Sequence, residues 1–441
     1  MTQTTSAPPA KWSPPAPPAT LPTPSTPARG PQGTIGAWFA GTPGRIRALL
    51  ILTAVMTVLF GLAAAQGFNE SDGALQRADE NTAQLVRIQS IHTNLVSANA
   101  DATNAFLVGG LEPPAQRDHF VASLAAASKL IAEAATAQPA DQQALGALNA
   151  TLLSYQGLIE QARANNRQGL PIGSQYLKDA NATLQNDSLP LVTALVKANE
   201  SRVSTEFSGA GKGNLWLIVG GVLTLAVLGF ALWWLAQRTH RYLNLPIAAA
   251  AVLVLLTVVV GGTALSSASS KAQETRGNAY ADTLALSRAR IAAYDAKSNE
   301  SLTLIARGSG DAFNKAWDGS AAAVDEQLAI VDVTAPKLQG LWNGYKSIHK
   351  VIRTKDAQQG DWDGAVAVAV GNTPPQDAVT AFTTFDQSSA ASLQQTSDAT
   401  RSELSDARGS LPPIGWLGLP IGIAAALLAA WGMSQRLGEY R

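Results

Sequence analysis

The chain has 441 residues, with 32 Lys+Arg against 32 Asp+Glu, and only 15% of its residues are charged while 46% are hydrophobic. This neutral balance lacks the basic excess of a nucleic-acid binder. The absence of cysteine excludes disulfides, thiolate catalysis and Cys-ligated metal sites.

Residues 1–45 are rich in Pro, Thr, Ser and Ala ("SAPPAKWSPPAPPATLPTPSTPARG"), too poor in apolar surface to fold, and predict a disordered tail. Trp12 and "IGAWFAG" (35–41) are apolar islands in it, and Thr20, Thr23, Ser25 and Thr26 are hydroxyls able to accept phosphate. A first membrane span is expected over 46–66, on the uncharged run Ala48–Ala65. The stretch "AAAQ" (63–66) resembles a signal-peptidase site. The apolar run, however, exceeds the ~7–15 residues of a signal core and starts after more than forty residues, so a retained anchor is expected.

Residues 67–213 read as a four-helix bundle. Leu85, Ile88, His92, Leu95, Asn99, Ala102 and Phe106 recur at steps of three and four, the stripe of a bundle helix. Gly109-Gly110 with Pro113-Pro114, Gln138-Pro139 and "QGLPIG" mark the breaks between helices. A fourth helix, carrying Leu177, Ala180, Leu184, Leu191 and Leu195, continues towards the second span with a bend expected at Pro190. The second span covers 214–236, a turn 237–245, and the third span 246–266. Residues 267–412 repeat the plan, with the stripe Leu284, Ser287, Ile291, Tyr294, Ser298, Ser301 and Ile305, breaks at "GSGD", Pro336 and "QQGDWDG", and a last helix complicated by Pro374-Pro375. The fourth span covers 413–433 and the C-terminus 434–441. The first and last helices of each bundle are expected to enter the membrane as continuous rods.

The four runs (Ala48–Ala65, Leu215–Ala236, Ile247–Leu265, Ile414–Met433) contain no Asp, Glu, Lys or Arg, and approach or exceed the ~18–20 residues that cross a bilayer. Trp216, Trp233, Trp234, Trp416 and Trp431 lie near their ends, as interfacial aromatics do. Arg45 and Arg47, Arg238 and Arg241, and Arg436 with Arg441 flank the spans on one side, whereas Asn69, Glu70 and Asp72 follow span one. The positive-inside rule then places both termini and the turn in the cytoplasm and both long segments outside a cell membrane.

Ala48 to Ile247 and Leu215 to Ile414 are the same shift of 199, which predicts a tandem duplication of span, extracytoplasmic four-helix bundle and span in an all-α membrane protein. "NADATNAFLVGG" (99–110) echoes "NESLTLIARGSG" (299–310), and "YQGLIEQARANNRQG" (155–169) echoes "YKSIHKVIRTKDAQQG" (345–360).

Chemistry is sparse. His92, His119, His240 and His349 share no metal-ligand spacing, and phosphate-loop, kinase and hydrolase-elbow motifs are absent, so neither an enzyme nor a cofactor is expected. The spans hold no ionisable residue to mark a transport route. Gly418 and Gly422 form a GxxxG helix-packing pattern, and Gly220-Gly221 and Gly261-Gly262 are further small sites. His92 and Asn99 on the apolar stripe, with Asp101 and Asn104 beside them, form a candidate polar site in the first bundle. Arg87, Arg288 and Arg290 are candidates to pair with a carboxylate.

Each span–bundle–span half resembles the sensory half of a four-helix-bundle chemoreceptor or sensor kinase. Neither a HAMP linker nor a kinase-coupling hairpin follows the second or fourth span; only "SQRLGEYR" follows Met433. The doubled arrangement with a Pro-rich start is similar to the actinobacterial GlnX-type membrane proteins. That resemblance implies an extracytoplasmic solute-binding protein loaded with glutamate or aspartate as one partner, and the cytoplasmic Ser/Thr protein kinase G as the other. It carries over no site residue. An envelope scaffold and an accessory transporter subunit are the alternatives, and oligomeric state is left open.

Overall fold

The computed structural model describes residues 41–108, 112–239, 244–371 and 378–438. Residues 1–40 of the expected 1–45 tail, Gly109-Gly110, His240, Arg241, Pro374-Pro375 and Arg441 lie outside the described residues, and residues 41–45, expected to be disordered, are the start of a helix.

The described elements are all helical. In chain order they are α1 (Gly41–Val108), α2 (Pro114–Ala137), α3 (Gln142–Arg167), α4 (Ile172–Thr183), α5 (Leu189–Gly209), α6 (Gly213–Thr239) and α7 (Leu245–Gly277). Then follow α8 (Ala279–Ile305), α9 (Asp311–Ile330), α10 (Lys337–Arg353), α11 (Trp362–Val370), α12 (Ala378–Gly409) and α13 (Ile414–Gly438).

The lower part of α1 closes a ring with α6, α7 and α13. Phe60, Ala64, Leu217, Leu228, Val254, Ala425 and Met433 fill its centre, while Leu52, Val55, Leu59, Leu223, Val260 and Leu427 project outward and are exposed. Helices apolar on every side are stable only where lipid covers the outer face, so this layer lies in a membrane. A fifth helix, α2, is also long and apolar enough to span, with mean hydropathy 1.3 against 1.8–2.5 for the others. Its exposed face carries Arg117, Asp118, Lys129 and Glu133, and its buried face (Phe120, Ala127, Ile131) joins the core of the head formed by α1–α5 and α8–α12. Burial in that core accounts for its hydropathy.

Within the layer, Gly418 and Gly422 of α13 meet Gly61 of α1 backbone to backbone. A Cβ on Gly61 would fall 2.6 Å from the Gly418 carbonyl oxygen, and one on Gly422 would fall 2.7 Å from the Thr57 carbonyl oxygen. At one end of the ring the Asn244 amide donates to the Gly432 carbonyl at 2.7 Å and ties the start of α7 to α13.

Upper α1, α2, α3 and the α4–α5 rod pack side by side, as do α8, α9, α10 and α12 with the short α11 against them. A wide turn at Leu184–Ser188 joins α4 to α5. Pro190 follows it; proline clashes with the carbonyl four residues back, and the wider turn relieves that clash. Of the four connections between head and layer, only α1 runs unbroken, for 68 residues. Elsewhere the rods expected from sequence are interrupted. Lys212 donates its N–H to the Gly209 carbonyl at 2.9 Å in the turn between α5 and α6, Asn278 leaves helical geometry (φ −113, ψ −96) between α7 and α8, and Pro412-Pro413 separates α12 from α13. The missing proline N–H supplies the physical reason at the last of these.

Candidate functional site at the seam between the two halves of the head

The two halves meet along α1 and α8. Both helices are buried on nearly every side, and much of what they bury is polar: Gln84, Gln89, Asn99 and Asn104 on α1, Lys297, Ser298, Glu300 and Ser301 on α8. At the middle of the seam the Asn99 amide donates to Ser298 Oγ at 2.8 Å and to Asn181 Oδ1 at 2.9 Å, and Tyr155 Oη donates to Asn99 Oδ1 at 3.3 Å. Asn99 is therefore satisfied within the protein. It bonds a residue 199 positions away, the same shift that relates the spans.

On either side of this contact lies a recess. One, of about 480 Å³, is lined by Asp101 and Asn104 of α1, Gln116 and His119 of α2, Lys297 of α8 and Asp386 of α12. The other, of about 490 Å³, is lined by Gln89 and His92 of α1, Thr193 and Val196 of α5, Arg288 and Asp295 of α8, and Gly319 and Ser320 of α9. Of the four polar positions singled out in the sequence, the structure thus brings only Asp101 and Asn104 together. His92 lines the opposite recess, and Asn99 belongs to the contact between them.

In the first recess His119 Nδ1 and Asp101 Oδ2 are 2.6 Å apart. Burial pushes the Asp101 carboxyl up, opposed by His119, while the bond to Asp101 raises His119. Asn104 Oδ1 and Gln116 Oε1 are buried without a hydrogen-bond partner among the described residues, so acceptors remain for a bound molecule. In the second recess burial lowers His92 to about 4 and raises Asp295 to about 7. Arg288 pairs with Glu200 across the seam, Arg290 donates to Asp386 at 2.8 Å, and Arg87 donates to Gln84 Oε1 at 3.3 Å.

Sequence reasoning missed the most enclosed ionic group. Lys297 Nζ donates to Glu300 Oε1 at 3.0 Å, His349 Nδ1 lies 2.7 Å from Glu300 Oε2, and all three residues are buried. Trp317 stacks on His349 at 3.6 Å between ring centroids. Its one sequence signal, a Lys and a Glu three residues apart, is shared with many solvated helix faces. Among the described residues no group of three or more His, Asp or Glu is placed to hold a metal.

Residues 74–208, from upper α1 through α5, match the family model of an actinobacterial sensor domain. No curated protein and no solved structure matches the chain. The chain is an all-α membrane protein whose first head segment is similar to an actinobacterial sensor domain, which supports reading it as an actinobacterial, signal-sensing membrane protein.

Proposed function

We propose that the protein is a membrane-embedded sensor and adaptor that relays extracytoplasmic glutamate or aspartate status, through a docked solute-binding protein, to a cytoplasmic Ser/Thr kinase. One observation carries the signalling part of this reading: α1 runs unbroken from the membrane layer to both seam recesses, about 100 Å at 1.5 Å per residue. A stiff helix between two packings of similar free energy transmits a bias applied at one end to the other. The amino-acid and kinase parts rest on the resemblance to GlnX-type proteins, and the sensor-domain match is consistent with them. We read both ends of the chain as inside and the head as outside the cell membrane, supported by Arg45, Arg47, Arg238 and Arg436 and the positive-inside rule. We read the two halves as a tandem duplication of span, four-helix bundle and span, supported by the shift of 199 that also separates Asn99 from Ser298.

The test is co-purification of the full-length protein from detergent with a solute-binding protein, with and without glutamate, together with kinase phosphorylation in cells. Capture that changes with glutamate and alters phosphorylation supports the relay. Capture indifferent to amino acids and limited to envelope-assembly proteins overturns it. A reporter fused near residue 140 or 340 that proves cytoplasmic overturns the orientation.

A further inference from the structure

The two recesses flanking the seam differ in charge balance. In the recess of Asp101 each ionised group has a partner: Asp101 with His119, Asp386 with Arg290, and Lys297 with Glu300. In the recess of His92, Arg288 is taken by Glu200. Asp295 has only the neutral Gln185 side chain, and no charged neighbour among the described residues compensates its burial. The ionisable groups lining this recess are His92 on α1 and Arg288 and Asp295 on α8; α5 contributes Thr193 and Val196, and α9 contributes Ala316, Gly319, Ser320 and Ala323. A carboxylate kept in a wall without a cation lowers stability unless something supplies the charge.

The rest of the wall narrows what that cation is. Gln89 is 2% exposed, and both its amide atoms lack a partner, as does His92 Nε2. Gln89 Oε1 and a neutral imidazole are acceptors suited to N–H donors. No Trp, Tyr or Phe lines the recess, so the aromatic cage that selects quaternary ammonium is absent from it. One carboxylate falls far short of the oxygen shell that a hard divalent cation requires. Val196, Ile291, Ala292 and Ala323 suit a short aliphatic body.

We infer that the recess between α1, α5, α8 and α9 binds a small organic primary ammonium, with Asp295 as its counter-ion and Gln89 and His92 as neutral acceptors. The inference goes beyond the relay reading, because it requires neither the binding protein nor the kinase, and its failure would leave that reading standing.

The test is calorimetric titration of the purified full-length protein with butylamine and putrescine, with tetramethylammonium chloride and sodium chloride at matched ionic strength as controls. Saturable binding of the amines is expected at pH 8, weakened roughly tenfold or more at pH 5.5 as Asp295 takes up its proton while His92 stays neutral. Asp295→Asn should abolish binding while melting no lower than the native protein at pH 8, since it removes a half-buried carboxylate that has no cation beside it. Gly319→Leu is the second variant. A Cβ there meets nothing within 4 Å, so the fold should tolerate it while the added side chain reduces amine affinity. The inference is overturned by no saturable amine binding at pH 8, by equal affinity at both pH values, by equal binding of tetramethylammonium, or by undiminished binding in both variants.

Discussion

Glu300 accepts from Lys297 and lies against His349 in a position 1% exposed. Burial alone would raise its carboxyl, but Lys297 and His349 overcome that cost and hold it at about 2. A carboxyl lowered on folding contributes stability that is present above its unfolded value of 4.5 and fades as pH falls towards 2. Thermal melts between pH 5 and pH 2.5 should therefore show an acid-dependent loss in the native protein that is reduced in Glu300→Gln. Glu300→Ala should cost about 3–5 kcal/mol at neutral pH, because it leaves Lys297 buried without its carboxylate. Replacing Lys297 and Glu300 together by apolar residues of similar volume should cost much less; if the double variant is as unstable as the single one, the pair is not what Glu300 serves. None of this was legible at the residue scale in the sequence. Lys297 and Glu300 look like an ordinary surface pair until α8 is known to be enclosed on all sides. Asp101 and Asn104 were legible because they lie within two residues of Asn99 and Ala102 on the apolar stripe, and Asp295 was missed because Ile291 and Tyr294 beside it made that face read as core.

At the scale of elements, hydrophobic period found the helices but only half of what they bury. The stripe on α1 from Leu85 to Phe106 marks one buried side of the helix. The helix also buries Gln89, Thr93, Ser97 and Asn104 outside that stripe, and polar residues give no amphipathic signal. Three of the four rods carry a short break, two of them near the membrane beside residues that were in view, Gly209 and Gly211 in one and Pro412-Pro413 in the other, yet a hydropathy pattern does not register a one-to-four-residue break. The GxxxG pair on α13 was legible, whereas its partner Gly61 was not, because nothing in α13 specifies which helix it approaches. That contact is between backbones, so a side chain there has no flexible neighbour to displace. Gly422→Leu should destabilise the protein by about 1–3 kcal/mol or more through overpacking. Gly229→Leu on α6, where an added Cβ meets nothing within 4 Å, should be close to neutral. Melting temperatures in one detergent compare the two directly, and equal melting temperatures would mean that α1 and α13 are not held at this distance.

At the scale of the whole molecule, charge-free runs with arginines at their ends marked the membrane layer, and the equal spacing of the runs marked two halves. How the halves meet depends on distant polar pairs that no local pattern encodes. They are Asn99 with Ser298, Glu200 with Arg288, and Asp72 on α1 with Arg408 on α12. These pairs join the halves at three points, while the unbroken α1 carries one side of the seam into the layer. A signal that travels this way requires α1 and α8 to move relative to one another. The chain has no cysteine, so thiols introduced as Asn99→Cys and Ser298→Cys are unique and can be joined by a short, reducible bifunctional thiosulfonate. If the solute-binding protein proposed above docks on the head, the cross-linked protein should still bind it, because Asn99 and Ser298 are buried and the link leaves the exposed surface unchanged. It should lose the change in hydrogen exchange that the proposed relay predicts at the lower ends of α6 and α13 on binding, and reduction should restore that change. If the cross-linked protein keeps the full response, the seam is a rigid support, and the motion instead passes through the interrupted joints at Asn278 and at 210–212.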